Sequence, residues 1–106
     1  MRYLFIAFHY PKPEYRQDLL RWISRVGAAL RAQPGLLQLG DFEDALNGRI
    51  VAVSVWESAD HLRTARELTF ASLGAGALYE VWETRLPEVF TLGELEETAA
   101  ASESDQ

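Results

Sequence analysis

The sequence contains no cysteine and only one lysine, and these shortages exclude several classes of protein. Without cysteine, the chain has no disulfides, no thiolate metal ligands and no cysteine nucleophile. The ten basic residues form no stripe that would follow a phosphate backbone, so we expect no nucleic-acid partner. Long apolar segments are also missing: the longest uninterrupted run, residues 3–8, is far shorter than the roughly 20 residues that span a bilayer. We therefore expect no membrane partner.

Histidine is scarce too, and the two that occur, His9 and His61, stand far apart in sequence. They form no recognisable metal-ligand spacing, so we predict no metal site. The serines lack the sequence context of a hydrolase nucleophile. The N-terminus also lacks the longer apolar segment and the small-residue cleavage site of a signal peptide, which leads us to expect a cytoplasmic protein.

The negative charge is unevenly distributed along the chain. The formal net charge is −6, yet residues 94–106 contribute five acidic side chains and no basic one, whereas residues 1–93 hold 11 acidic and 10 basic side chains. A chain of 106 residues with 48% hydrophobic content is long enough for one domain with one core. We predict a nearly neutral folded domain over residues 1–93 and an acidic C-terminal tail over residues 94–106.

Apolar periodicity and turn residues predict four strands and two helices. Leu19 and Ile23 begin an apolar stripe at helical spacing in the first helix. Asn47-Gly48 favours a hairpin turn in which both central residues have positive φ. Ser58 is a good N-cap for the second helix. The predicted strands are residues 2–10, 36–43, 49–57 and 78–92, and the predicted helices run from residue 13 to about 33 and from residue 58 to 74.

The element order β-α-β-β-α-β predicts an α+β, ferredoxin-like fold with a four-stranded antiparallel sheet and both helices on one face. A solvent-facing side of such a sheet normally shows polar residues at alternate positions. In the first and third strands, however, both sets of alternate residues are mainly apolar. Monomers rarely expose an apolar face of this size, so we expect a homodimer that packs the two sheets together. The alternative is that the C-terminal tail folds back over this face.

Two segments carry a resemblance to a known family. The predicted first helix ends at residues 33–36 (QPGL), and the third strand leads into the second helix through residues 50–58 (IVAVSVWES). Over residues 2–92 the chain resembles the antibiotic biosynthesis monooxygenase domain family. The resemblance implies a dimeric α/β barrel with a cavity between sheet and helices. Activities known in the family include cofactor-independent oxygenation of polyketide-like aromatic compounds and haem degradation.

The resemblance does not extend to the residues of the haem-degrading members. Those relatives use an Asn in the first strand, a Trp in the second helix and an iron-binding His further along that helix. In this sequence the strand position is Ala7, and the two helix positions fall near Ala65 and Ala75. We expect no haem degradation and no cofactor. Two hypotheses remain: a cofactor-independent monooxygenase acting on a small aromatic substrate, and a non-catalytic small-molecule-binding or structural protein with the same dimeric barrel.

For the enzyme hypothesis, His9 is the candidate catalytic residue. The family comparison puts its side of the first strand toward the cavity. An imidazole changes protonation near neutral pH and can take a proton from a phenol-like substrate. The alternative is a strand-end histidine that bonds a neighbouring backbone group. The candidate substrate-binding residues are Phe5, Trp56, His61, Arg66 and Tyr79.

The substrate-binding candidates also have structural interpretations. Trp56 can plug the space between sheet and helix, and His61 can face solvent in the first turn of the second helix. Arg66 can pair with a nearby carboxylate. Tyr79 and Trp82 fall on opposite faces of the predicted last strand, so only one of them can line the cavity. Core packing or the dimer interface can account for either ring.

Overall fold

The computed structural model describes residues 1–74 and 76–95. In chain order these residues form β1 (Tyr3–His9), α1 (Arg16–Arg31), β2 (Leu36–Asp44), β3 (Arg49–Trp56), α2 (Ala59–Leu73), α3 (Tyr79–Trp82) and β4 (Glu88–Gly93). A single 3-10 turn, Pro13–Tyr15, leads into α1. Position 75 and residues 96–106, which make up most of the predicted acidic tail, lie outside the described residues.

The four strands form one antiparallel sheet in the order β2-β3-β1-β4. This is the strand order that the β-α-β-β-α-β pattern produces, and it confirms the predicted α+β, ferredoxin-like fold. In the central pair, Ala7 of β1 lies opposite Ala52 of β3, and His9 lies opposite Ile50. β4 is an edge strand and begins directly after Pro87, whose missing N–H costs no ladder hydrogen bond there.

The two faces of the sheet differ in what covers them. Because side chains alternate along a strand, Ala7 and His9 point to one face, and Ile6 and Phe8 point to the other. α1 and α2 pack on the first face, where Ala7 and His9 are only 5% and 6% exposed. None of the described helices packs on the opposite face, and Phe90 of β4, which pairs with Ile6, is 46% exposed there. The helices therefore enclose one side of the sheet only.

The hydrophobic core consists of two clusters, one at each end of β3. The first joins α1, β3 and α3 and contains Leu19, Trp22, Ile23, Ile50 and Trp82. The second joins β3 to α2 and contains Trp56, Leu62 and Ala65. Ile50 and Trp56 are six residues apart, which is about 20 Å along a strand. Burial of each large apolar side chain contributes roughly 1.5–3 kcal/mol. The clusters thus hold the helices against the sheet while leaving its centre to smaller residues.

The ends of α2 follow the sequence signals. Ser58 caps the N-terminus, and its Oγ accepts a hydrogen bond from the backbone N–H of His61 at 3.2 Å. Gly74 follows the last turn with a φ of 71°. Gly35, with a φ of 87°, lies so close to the imidazole of His61 that any side chain there would overlap it. The turn between α1 and β2 therefore packs directly on the start of α2.

The predicted strand over residues 78–92 is wrong in its first half. Tyr79–Trp82 forms the short helix α3, and the N–H of Glu83 closes it by bonding the carbonyl oxygen of Tyr79 at 2.9 Å. β4 starts only at Glu88. An apolar pattern of so few residues does not separate one helical turn from a strand. Tyr79 and Trp82 are consequently neighbours on one helix, with ring centroids 6.3 Å apart, and do not lie on opposite strand faces.

The turn between β2 and β3 also differs from the prediction. Gly48 has a positive φ of 65°, but Asn47 does not, so the two residues do not form a turn with two positive φ values. The side chain of Asp44 organises the loop instead. Its carboxylate accepts hydrogen bonds from the backbone N–H of Asn47 at 3.3 Å, from Asn47 Nδ2 at 2.9 Å and from Arg49 Nη2 at 2.7 Å. Asn47 therefore stabilises the loop through hydrogen bonds from its backbone N–H and its side-chain amide, and not through a positive φ.

Candidate functional site

A cavity of about 300 Å³ lies between the helix-covered face of the sheet and helices α1 and α2. Small residues make room for it: Ala7 and Ala52 pair at the centre of the sheet, and Gly27 lines the cavity from α1. Most of the remaining wall is apolar and includes Phe5, Ile23, Val26, Leu30, Leu39 and Phe70. A mainly apolar space of this volume with a few polar groups suits a small aromatic molecule.

His9 borders this cavity and is paired with a buried acid. Its Nδ1 lies 3.0 Å from Oε2 of Glu83, and the two side chains are 7% and 0% exposed. The other oxygen, Oε1, accepts the backbone N–H of Tyr10 at 2.6 Å. A carboxylate can only accept, so Nδ1 is the donor and the lone pair of the neutral imidazole is on Nε2. Nε2 makes no hydrogen bond within the described part of the chain and is available to a ligand.

The backbone around Glu83 explains how an acid from a distant segment reaches His9. Pro11 and Glu83 form an isolated antiparallel bridge beyond the end of β1. Hydrogen bonds flank the bridge, from Lys12 N to the Trp82 carbonyl at 2.8 Å and from Thr84 N to the Tyr10 carbonyl at 2.9 Å. The chain leaving α3 is thereby fixed to β1. Sequence reasoning misses Glu83 because it places this residue inside a predicted strand, with no signal for its partner.

Tyr79 is the second polar group near His9. Its ring centroid lies 5.5 Å from that of His9, and Trp22 Nε1 donates a hydrogen bond to its hydroxyl oxygen at 2.8 Å. Burial raises the pKa of Tyr79, an effect that the Trp22 hydrogen bond partly offsets. The hydroxyl therefore stays neutral near physiological pH. Since its oxygen already accepts from Trp22, the O–H can donate to a molecule in the cavity.

Asp41 of β2 adds a carboxylate to the cavity wall. Burial raises its pKa, and the positive charge of Arg31 and the nearby His9 act in the opposite direction. The residue shares the helix-facing side of β2 with Leu39, and each pairs with a cavity-lining residue of β3. In the sequence, Asp41 is one of two acids, with Glu43, at alternate positions of the predicted strand, and this pattern does not identify it as a cavity residue.

Arg66 reaches the cavity from α2. Its guanidinium lies over the ring of Phe5, 4.5 Å from the centroid, in cation-π geometry. Its Nε is buried and has no hydrogen-bond partner among residues 1–74 and 76–95. Within the same residues Arg66 forms no ion pair, so the carboxylate partner considered from the sequence is not observed. Phe5, His9, Arg66 and Tyr79 are thus brought together around one space.

Trp56 and His61 do not belong to the cavity lining. Trp56 is fully buried, donates from Nε1 to Ser54 Oγ at 2.8 Å and packs against Leu62 of α2, as expected for a plug between sheet and helix. His61 lies at the start of α2 with Nδ1 2.7 Å from Ser58 Oγ. It borders a separate shallow pocket between the end of α1 and α2.

The described residues provide neither a metal centre nor a membrane-spanning helix. Residues 1–74 and 76–95 contain no group of three or more His, Cys, Asp or Glu side chains that could hold a metal ion. No helix among them is both long and apolar enough to cross a membrane.

Solved structures share this architecture. Rv0793 from Mycobacterium tuberculosis aligns with a TM-score of 0.75 and 22% sequence identity, covering 91% of this chain and 97% of that one. PA3566 from Pseudomonas aeruginosa aligns with a TM-score of 0.71 and 20% identity, covering 89% and 94%. A variant of SnoaB from Streptomyces nogalater, described as a cofactor-independent oxygenase, aligns with a TM-score of 0.65 and 17% identity, covering 90% and 94%.

Sequence comparison gives the family directly. No curated protein matches this chain. The family model described as antibiotic biosynthesis monooxygenase, however, matches residues 1–69, which is more than half of the chain. These residues include β1, β2, β3 and most of α2, and hence most of the cavity wall. The chain belongs to the antibiotic biosynthesis monooxygenase family.

Proposed function

We propose that the protein is a cofactor-independent monooxygenase that oxidises a small aromatic, polyketide-like substrate in the cavity. One observation carries the proposal: His9 is hydrogen-bonded through Nδ1 to the buried carboxylate of Glu83 and borders an apolar cavity of about 300 Å³. A base held in one tautomer beside an apolar binding space suits proton removal from a phenol-type substrate. Family membership supports the same reaction class, as does the fold likeness to SnoaB.

The first step is transfer of a proton from a ring CH₂ of the substrate, in its keto form next to a carbonyl group, to His9. Nε2 accepts the proton, because Nδ1 is already bonded to Glu83. The carboxylate of Glu83 then stabilises the imidazolium, as the acid of a catalytic triad does. Tyr79 donates its O–H to the substrate oxygen on which negative charge develops.

The second step is the reaction of the deprotonated substrate with dioxygen. The carbanion passes one electron to dioxygen, and the two radicals combine at carbon to give a peroxide that takes up the proton held by His9. Removal of the remaining C–H proton cleaves the O–O bond and releases water. A ring CH₂ and O₂ thus become C=O and H₂O, with every electron supplied by the substrate. The apolar walls around Phe5 exclude water during the sequence.

Oxygen consumption tests the proposal. We expect uptake with an anthrone or a dihydroxynaphthalene, and a loss of about 100-fold or more in His9→Ala, the usual size of a general-base contribution. His61→Ala, which removes the other histidine outside the cavity, is expected to retain uptake. Absence of uptake across a panel of such substrates, or full uptake in His9→Ala, would reject the monooxygenase. Calorimetric binding without uptake would then favour the non-catalytic small-molecule-binding protein.

We also propose that two copies associate through the sheet face opposite the helices, forming the dimeric barrel. At the centre of this face, β1 and β3 present apolar side chains (Leu4, Ile6, Phe8, Val51, Val53 and Val55). The edge strands add Phe42 and Phe90, which are 61% and 46% exposed, beside polar residues such as Gln38 and Glu88. A self-complementary apolar sheet is the usual basis of a two-fold symmetric pair. Packing the two sheets together would remove this surface from water while leaving the cavity on the outer, helix-covered side of each sheet.

A further inference from the structure

Arg66 differs from its neighbours because its charge has no acidic partner among residues 1–74 and 76–95. Arg63, one turn earlier on α2, is ion-paired with Asp60 at 2.9 Å on the surface. Arg66 is half-buried, and its Nε is buried without a hydrogen bond within the described residues. A buried polar group without a partner is destabilising, so its presence requires an explanation. A bound anion would supply a counter-charge for the guanidinium, which lines the cavity.

The position of Arg66 indicates where such an anion would lie. Arg66 and Phe70 line both the cavity and a second cleft of about 480 Å³, which also borders Tyr3 and Thr91. These two side chains therefore form the boundary between the two spaces. Among the described lining residues of the cavity, Arg66 is the only arginine or lysine. An anionic group of a ligand has this one permanent positive charge to meet.

The distance from Arg66 to the catalytic end of the cavity indicates the size of the ligand. Its guanidinium stacks on Phe5, which lies four residues before His9 on the same side of β1. Four residues of strand span about 13 Å. A single aromatic ring is shorter than this, whereas a fused multi-ring compound with a substituent at its far end can reach from one residue to the other.

We infer that the substrate is an aromatic carboxylic acid whose carboxylate binds Arg66 while its oxidised ring lies beside His9. The inference rests on the proposed function and adds the substrate class. A guanidinium binds a carboxylate through two parallel N–H···O bonds, an arrangement that a lysine ammonium cannot reproduce. Stacking on Phe5 holds the guanidinium plane in place for such a contact.

Binding of a non-oxidisable pair of probes, anthracene-2-carboxylate and its neutral carboxamide, tests the inference by titration calorimetry. We expect the wild-type protein to bind the acid about tenfold or more tightly than the amide. Arg66→Gln should abolish this preference by weakening the acid far more than the amide, and retained binding of the amide also reports that the variant is folded. Arg66→Lys should keep only part of the preference. Arg63→Gln is the matched control: it removes a nearby positive charge at the edge of the second cleft and should keep the preference.

Each result decides the question. The inference is overturned if the wild-type protein binds neither probe, if acid and amide bind equally, or if the preference survives in Arg66→Gln. If Arg63→Gln loses the preference for the acid to the same extent, the preference comes from the overall positive potential of α2. That result would also overturn the role of Arg66. Because the probes are not oxidised, an Arg66-dependent preference without oxygen uptake on any substrate would reject the monooxygenase alone. His9-dependent uptake without the preference would reject the carboxylic acid alone.

Discussion

Glu83 uses both of its carboxylate oxygens, one on Nδ1 of His9 and the other on the backbone N–H of Tyr10. Glu83→Gln keeps the size of the side chain but removes the charge that stabilises an imidazolium, and its amide can turn an N–H toward Nδ1. We expect kcat for oxygen uptake to fall by roughly 100-fold or more, with KM little changed. Glu88→Gln, which alters a carboxylate outside the cavity, is the control. If Glu83→Gln is stably folded and keeps the wild-type kcat, the prediction is contradicted and Glu83 has a structural role only.

Asp41 gives a prediction for stability against pH. Burial raises its pKa, so the folded protein holds this proton more tightly than the unfolded chain does. Stability therefore falls as pH rises from the ordinary carboxyl range through the raised value, and the loss persists at neutral pH. Asp41→Asn carries no charge at this site and should be more stable than wild type at pH 7. The difference should shrink toward zero as the pH falls below about 4, because Asp41 then becomes protonated in the unfolded chain as well.

Thermal unfolding of wild type and Asp41→Asn between pH 3.5 and 7.5 measures this difference. Other titrating groups are common to both proteins and largely cancel when the two midpoints are subtracted. If the unfolding midpoints of the two proteins differed by the same amount at every pH, the prediction would be contradicted. Such a result would mean that Asp41 has the same pKa in the folded and unfolded states.

Sequence reasoning recovers the part of the site that depends on side-chain type and family resemblance. The singled-out residues that line the cavity are Phe5, His9, Arg66 and Tyr79. The sequence does not identify Glu83, because its contact with His9 joins positions 74 residues apart and depends on a backbone bridge that no local pattern indicates. Trp56 is assigned to the site by residue type alone, yet it packs against α2 and fills the core there. Long-range pairing and side-chain direction are therefore what the sequence leaves open.

At the level of elements, α1 carries a glycine in its middle that a helix alone does not favour. Gly27 lines the cavity, and an added Cβ would lie 3.5 Å from Leu39 Cδ2, an ordinary contact. Gly27→Ala should therefore raise the free energy of unfolding by about 0.5–1 kcal/mol through helix propensity. The same methyl group takes space from the cavity, so binding of anthracene-2-carboxylate should weaken.

Urea unfolding and calorimetry check the two effects on Gly27→Ala. Ala28→Gly is the matched control, since it makes the reverse change at an exposed position of the same helix. It should lower stability by a similar amount and leave binding unchanged. Equal binding by Gly27→Ala and wild type would show that the glycine does not determine the size of the binding space.

The elements that the sequence predicts well are those with long, regular patterns. β1, β2, β3, α1 and α2 each have a clear period and a recognisable end, and their observed bounds lie close to the predicted ones. α3 has only four residues, and its helical turn forms because the core holds Trp82 beside Leu19 and the chain returns to β1 at Glu83. Tertiary contacts, and not local preference, decide that segment.

On the scale of the whole molecule, one sheet has two different tasks. Its helix-covered face supplies Ala7, His9 and Ala52 to the cavity, while the same strands present Ile6 and Phe8 to the opposite side. Phe8 and Phe90 pack edge to face there, with centroids 6.0 Å apart. Association through this face would keep the two cavities on opposite sides of the dimer. Substitutions on the open face should therefore change the proposed association without changing the cavity.

The proposed association of two copies through this face leads to a further prediction. Sedimentation velocity of the wild-type chain should give twice the mass of one chain at micromolar concentration. Phe90→Glu introduces a charge into the proposed contact between the two sheet faces and should weaken association by about tenfold or more. Leu68→Glu, which makes the same type of change at an exposed position of α2, should remain dimeric.

A shortened chain lacking residues 96–106 distinguishes the dimer from the alternative in which the tail covers the sheet face. If the second copy covers it, the shortened chain should dimerise with the wild-type affinity. If the tail covers it, the wild-type chain should be monomeric, and the shortened chain should associate through the newly exposed face. Since residues 94–106 carry five acidic side chains and no basic one, burial against Ile6, Phe8 and Phe90 would require these charges to lose water, which favours the second copy.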